Sequence, residues 1–258
     1  MISLRYLPVL LWICLHAECH EKLLDEANAA YKAGETAHTL IERQEAFNHA
    51  LNLFTDFEHL YNPQYGTGVL YYDIANTYYQ LEEYPFAVLY YYKALQLMPR
   101  SYRVHNNLAI TLDKLVIPMN KPASVFNDIF FVHTRFSFPE RMQLFFALAM
   151  ILIVLGSVYV WKPIRIIRAS ITVVSLCCAL MLFSLLYSRY FEPIEGVIVH
   201  SSLLYRDAGL QYASVSDQPV LSGNKVKVVD VQHNGQWLKV VTTAGDIGYV
   251  PLTAIRVI

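Results

Sequence analysis

Apolar and polar residues alternate along this chain with three different periods, and the period changes along its length. Tyr6 to Leu15, Met142 to Trp161 and Ala169 to Tyr187 are nearly continuous apolar runs, all three without a charged residue. At 1.5 Å rise per residue, a helix of about 20 residues spans about 30 Å, the hydrocarbon thickness of a bilayer. Between residues 20 and 117 the apolar positions recur at three- and four-residue spacing, which predicts packed amphipathic helices. From residue 194 the period falls to two. Val197-Ile-Val199, Leu203 to Tyr205, Val226 to Val231, Trp237 to Val241 and Ile247 to Val250 read as short strands. Ser222-Gly-Asn224, Asn234-Gly235 and Ala244-Gly-Asp246 supply the turns between them.

The N-terminal run follows a single positive charge, Arg5, so residues 1–19 have the n- and h-regions of an export signal. Cleavage after Ala17, retention as an anchor and lipidation at Cys19 all stay open. Leu15 fits a cleavage site poorly, and Glu18 speaks against lipidation. The two long runs predict a transmembrane hairpin, with helices at 142–161 and 169–187. Tyr159, Trp161, Tyr187 and Tyr190 stand at the interfacial levels. The connecting residues 162–168 contain Lys162, Arg165 and Arg168 and no acidic residue, so the positive-inside rule assigns this loop to the cytoplasm. Arg135, Arg141 and Arg189 flank the opposite ends and soften that bias. Both ends of the hairpin then face outward, as an export signal also requires. Residues 118–141, with Pro118, Pro122 and Pro139 among apolar clusters, suit either an interfacial helix or an extension packed on the helical region.

Composition agrees with this division. Charged residues make up 16% of the chain, against about 25% in ordinary soluble domains, and the net charge of −1 gives no electrostatic case for nucleic acid. The four cysteines, Cys14, Cys19, Cys177 and Cys178, lie in or beside apolar runs, which excludes a disulfide framework or thiolate zinc site in the two polar regions.

Within the helical region, Tyr71 to Gln80, Leu81 to Ala87, Val88 to Leu95 and Pro99 resemble a complete tetratricopeptide (TPR) repeat. A shift of about 34 residues aligns His105, Leu108, Ala109 and Leu112 with Tyr71, Ile74, Ala75 and Tyr78. Ala27 to Gly34 matches an earlier first helix. Its partner, ending at Ala50-Leu51, comes late, which implies a longer turn over 34–42. The third repeat stops at Ile117-Pro118 and keeps its first helix as a cap. Such grooves usually hold a peptide. The resemblance puts Asn28, Tyr31, Tyr72, Asn76, Tyr79 and Asn106 toward that ligand, where asparagines offer both donor and acceptor to a backbone. The alternative for Tyr72 and Tyr79 is plain cover of the helix surface.

In the C-terminal region, Gly235-Gln-Trp237 and Gly248-Tyr-Val-Pro251 resemble bacterial SH3 domains over residues 194–258. Tyr205, Trp237 and Tyr249 then line a groove, while Trp237 serves equally as core in so small a barrel. The fold class expected is a multidomain membrane protein: an all-α TPR solenoid, a two-helix transmembrane hairpin and an all-β SH3-like barrel. No HExxH, Walker A or GxSxG pattern is present, and the histidines lack ligand spacing. The expectation is a non-enzymatic protein without cofactor or metal.

In its full order of segments the chain resembles the BatE-like proteins of the bacterial aerotolerance operon. Asn76-Thr-Tyr-Tyr79, Tyr90 to Leu95, His105 to Ala109 and Gly248-Tyr-Val-Pro251 are the local matches. The resemblance implies an inner-membrane protein with both soluble units outside the cytoplasm. It implies partnership with von Willebrand-type membrane proteins and a MoxR-type ATPase, and a role in envelope integrity or stress tolerance. Two functions follow as expectations: a protein–protein interaction scaffold, or a cell-wall anchor whose SH3 region binds peptidoglycan peptides.

Overall fold

The computed structural model describes residues 7–61, 67–118, 131–232 and 235–258. Among them, eight helices and one five-stranded antiparallel sheet form the frame. Helices α1 (Leu7–Thr36) and α2 (Leu40–Tyr61) pack together across a short turn. Thr39 sets that turn: its hydroxyl accepts from the Glu42 amide at 3.2 Å while its own amide donates to the Glu42 carboxylate at 3.3 Å. The turn is therefore shorter than the expected 34–42, and α2 runs on through Ala50-Leu51, because no breaker occurs before Asn62-Pro63. The export-like segment is likewise no separate element from residue 7 onward, since α1 continues through residue 19 to Thr36.

Helices α3 (Gly68–Gln80) and α4 (Tyr84–Leu97) form a second hairpin, and α5 (Tyr102–Lys114) packs on α4. Thr67 caps α3 at the Leu70 amide, and Pro85 occupies the first turn of α4, where its missing N–H costs nothing. Ile74, Ala75, Ala87, Tyr91, Ala94 and Leu108 are all buried, as their spacing predicts. Alanines at these positions let backbones approach while Phe47, Phe54 and Tyr91 fill the space between helices. A polar clamp ties α2 to α4: the Tyr90 hydroxyl and Lys93 Nζ both reach the buried Glu58 carboxylate, at 2.8 and 3.2 Å. Two residues past α5, Val116 stands at φ 57°, a left-handed conformation that a β-branched residue adopts only under strain. The Ile117 and Val116 amides close back on Leu112 and Asp113.

After the short α6 (Phe131–Arg135) come α7 (Phe138–Trp161) and α8 (Arg165–Tyr190). Both are long and apolar enough to cross a membrane, with mean hydropathy 2.5 and 2.3 over their best windows. They exceed the expected spans at both junctions. Ser137 and Glu140 form a capping box that starts α7 before Met142, and α8 begins at Arg165. The basic loop thus shortens to Lys162–Ile164. Arg165 and Arg168 belong to α8, and Arg168 holds the Tyr159 hydroxyl of α7 at 2.9 Å. Of the expected 118–141 segment, residues 119–130 lie outside the described residues.

The sheet contains β1 (Ile194–Ile198), β2 (Lys225–Gln232), β3 (Trp237–Val241), β4 (Ile247–Pro251) and β5 (Ile255–Val257), in the order β4-β3-β2-β1-β5. A 3-10 turn at Leu252–Ala254 carries the chain from β4 to β5, which pairs with β1 on the far side. Ile198, Leu204, Val226, Leu238, Val240, Val250 and Ile255 form its core. Gly248 is needed where it stands, because a Cβ there would lie 2.7 Å from the Tyr205 carbonyl oxygen.

The sheet does not stand apart from the helices. Val197 and Val199 belong to the same buried cluster as Ala87, Val88 and Tyr91, so β1 seats on α4. Lys225 lies 4.6 Å from the centroid of the Tyr92 ring and also pairs with Glu195 at 2.5 Å. Gly223, at φ 91°, faces Leu115 and Ile117 at the end of α5, where a Cβ would lie 2.9 Å from Ile117 Cδ1.

Candidate functional site

The inner faces of α1, α3 and α5 converge on a cleft of about 340 Å³. Tyr31 and Glu35 come from α1, Tyr72, Asn76, Tyr79 and Gln80 from α3, and Asn107 and Ile110 from α5. Tyr91 reaches the cleft from α4. The spacing explains the convergence: 72, 76 and 79 share one face of α3, Ala75 is buried at its flank, and Ile74 points the other way into the core.

The floor is a fixed hydrogen-bond network. The Tyr91 hydroxyl donates to Asn76 Oδ1 at 2.7 Å, and Asn107 Nδ2 donates to the same oxygen at 3.0 Å and to the Tyr72 hydroxyl at 3.1 Å. In this network both donors meet Asn76 Oδ1, and its NH2 group points away from them. Tyr72 and Tyr91 meet at 6.1 Å between centroids, tilted by 51°. At the rim, Arg43 donates to Gln80 Oε1 at 2.6 Å. Beyond Tyr79 and Gln80, a second depression of about 360 Å³ continues over Arg43, Phe47 and Tyr84.

Burial governs the ionisation of this region. It raises the Tyr31 hydroxyl above its ordinary value, partly offset by a hydrogen bond with Gln80, and it raises Tyr91 likewise. The Asp73 carboxyl is pushed up to about 6 by loss of water. Neutral tyrosines and amides thus dominate the cleft, a surface suited to hydrogen-bonding an uncharged polar backbone.

Four of the six residues expected here, Tyr31, Tyr72, Asn76 and Tyr79, line the cleft together. Asn28 and Asn106 are exposed and stand outside its lining. Asn107 takes the place assigned to Asn106. A 34-residue shift pairs Asn106 with Tyr72, but the buried stripe of α5 runs through Val104, Leu108 and Thr111. Asn107 lies three residues after the first and four before the last, hence on that face. Tyr91 was legible only as core, and it is both core and floor.

In the sheet, Tyr205, Trp237 and Tyr249 gather in one place. Tyr205 exchanges two backbone hydrogen bonds with Tyr249, at 2.9 and 2.7 Å, and its ring meets Trp237 edge-on at 5.6 Å. Trp237 is partly exposed and outside the buried cluster of the sheet, whereas Tyr249 is buried. Lys239 approaches the Tyr249 ring, 5.6 Å from its centroid. Among the described residues no group of three or more histidine, cysteine or carboxylate side chains is arranged to hold a metal ion. No family model matches the chain, and no curated protein matches it.

Proposed function

We propose that this protein is a non-enzymatic, membrane-anchored interaction scaffold of the bacterial envelope. A TPR-type helical unit and an SH3-like barrel lie on the same, extracytoplasmic side of the membrane. The observation that carries the reading is the oriented Asn76 amide in the tyrosine-lined cleft, held by Tyr91 and Asn107. Its NH2 donors and the Asn107 carbonyl oxygen form a donor–acceptor pair matched to one peptide unit of an extended segment. The stacked hairpins α1–α2 and α3–α4 with the lone α5 support the repeat assignment. The strand order, with β5 returning to β1 through a 3-10 turn, supports the barrel assignment.

Packing as well as charge supports this topology. The polypeptide enters α7 from the helical unit and leaves α8 into β1, and β1 packs on α4. That contact favours a hairpin that returns to its side of origin, with Lys162, Arg165 and Arg168 at the cytoplasmic end. The partner is an envelope protein; the resemblance to BatE-like proteins suggests a von Willebrand-type membrane protein. Crosslinking in cells followed by purification through a C-terminal tag tests this. Specific membrane proteins should be recovered with wild type and lost with Asn76→Ala combined with Tyr79→Ala. Unchanged recovery would remove the cleft from the account.

A cell-wall anchor is the second reading, favoured by the part-exposed Tyr205–Trp237 pair, a surface on which a sugar or peptide could stack. Sedimentation of the detergent-solubilised protein with purified wall sacculi, abolished by Trp237→Ala, would move the function there.

A further inference from the structure

At the end of the apolar hairpin nearest the soluble units, one charged side chain is buried with its bonding incomplete. Arg141, in the first turn of α7, is 5% exposed. Its Nη1 donates to Ser184 Oγ at 2.9 Å and to the Ser184 carbonyl at 3.3 Å, and meets His133 Nδ1 at 2.7 Å. That last contact requires an unprotonated Nδ1, and burial together with the Arg141 charge lowers the His133 pKa, so the imidazole contributes no second positive charge. Arg141 Nε has no partner among the described residues, nor has the buried Ser188 Oγ one helical turn beyond Ser184. Among the described residues no carboxylate lies within ion-pair distance of Arg141. Glu140, next to it, is already paired with Arg100 at 2.5 Å.

A buried guanidinium whose electrostatic partner, the exposed Glu192, makes no ion-pair contact with it is unfavourable unless an anion joins it. The surroundings have room for one. A cavity of about 480 Å³ opens between the end of α4, α6 and the facing ends of α7 and α8. Arg141 and Ser188 line it, Phe136 and Phe138 form apolar wall, and the exposed Glu192 stands on its edge. Below it, α7 and α8 present outward apolar side chains such as Met142 and Leu144. A positive group inside, a negative group on the edge and an apolar track leading away together describe a zwitterionic amphiphile.

We infer that this cavity binds the headgroup of a phospholipid bearing a primary ammonium, of the phosphoethanolamine class. The phosphate oxygens accept from Arg141 Nε and Ser188 Oγ, the ammonium pairs with Glu192, and the acyl chains lie along α7. The inference rests on the membrane reading of α7 and α8. It gives the hairpin a lipid ligand that seals the joint between the spanning helices and the last turn of α4.

Native mass spectrometry of the full-length protein in mild detergent tests it, with phosphatidylethanolamine, phosphatidylglycerol and soluble glycerophosphoethanolamine titrated separately. Phosphatidylethanolamine should be retained about tenfold more tightly than phosphatidylglycerol, the worth of the one charge pair that its ammonium makes and a neutral glycerol headgroup lacks. Glu192→Gln should erase that preference, Arg141→Gln should weaken both lipids about tenfold, and Ser188→Ala should weaken both about threefold without disturbing the fold. Equal retention of the two lipids by wild type, or a preference that survives Glu192→Gln, would overturn the assignment. So would a soluble headgroup that binds as tightly as the intact lipid. Alkaline extraction of membranes separates the two layers of the inference. Wild type released by alkali would sink the membrane reading, whereas wild type that stays in the pellet without lipid preference would sink only the lipid site.

Discussion

Helices α4 and α7 are both strongly apolar, yet they are built inside out relative to each other. In α4 the buried side chains are Ala87, Val88, Leu89, Tyr90, Tyr91 and Ala94. In α7 the one buried residue is Arg141, while Phe146, Met150, Ile153 and Val154 face outward. Its partner α8 repeats the inversion in part, burying Ser184 beside Met181. Water drives the first arrangement, because apolar surface leaves it at roughly 25 cal/mol per Å². It cannot drive the second, in which an exposed apolar surface of that length would be a severe liability. A hydrocarbon surround reverses the preference: apolar side chains rest outside, and the polar groups find each other between the helices. The bonds of Arg141 to Ser184 at one end and of Arg168 to Tyr159 at the other are the cross-links that such an interior uses.

Charge substitutions break this comparison most sharply. Ile74→Asp, at a fully buried position, should unfold the helical unit, a loss of more than about 4 kcal/mol seen as a vanished thermal transition. The protein should nevertheless remain in the membrane fraction. Val154→Asp should do the opposite. At an exposed site in water it would change stability by less than about 0.5 kcal/mol, but at mid-bilayer it costs roughly 2.5–3.5 kcal/mol of insertion. Membrane-fraction recovery should therefore fall while the helical unit keeps its thermal transition. Normal insertion of Val154→Asp would contradict the membrane reading.

Docking of the sheet on the helices is the next contrast. Gly223→Ala places a methyl group against Leu115 and Ile117 in a backbone conformation unfavourable to alanine. It should cost about 1–3 kcal/mol and expose the joint near residue 223 to protease, whereas Gly235→Ala, with open space around it, should leave the joint intact.

Asp73 offers a pH-dependent test on the same helix as the cleft. Its folded carboxyl titrates near 6, above its ordinary value. The folded state therefore holds the proton more tightly than the unfolded chain. The stabilisation is complete below about pH 4 and is lost as pH rises through 6. Asp73→Asn should raise the melting temperature of the helical unit at pH 8, by roughly 1–2 kcal/mol of stability, and change little at pH 4. An equal effect at both pH values would show that burial does not hold the proton there. The smallest effect is expected at Val116, which is almost wholly exposed in a left-handed conformation. Val116→Asn should stabilise by about 0.5–1 kcal/mol in chemical denaturation, since asparagine tolerates that conformation.

Local pattern announced most of the helices and strands, because each is set by period and by punctuation such as Thr39, Ser137 and the Gly-containing turns. Four of the cleft side chains were legible for the same reason: a repeat aligns positions that share a face. What pattern could not supply was rotation and long-range contact. Asn106 and Asn107 differ by one residue, about 100° around α5, and only the burial of Val104 and Thr111 decides between them. Arg141 read as a flanking charge that blurred the topology, and its burial depends on Ser184, distant in sequence. The seating of Val197 and Val199 on α4 likewise joins segments on either side of the hairpin, beyond the reach of any local signal.

The cleft is the centre of the functional account, and α5 provides an internal control for it. Ile110 is on the cleft wall, while Tyr102, on the same helix, is exposed and away from it. A photo-crosslinking residue placed at 110 or at 102 in the full-length protein, activated in intact cells, tests the account most directly. Membrane-protein adducts should form from position 110, not from 102, and disappear with Asn76→Ala. The same adducts from both positions, or adducts at 110 that persist without Asn76, would contradict it.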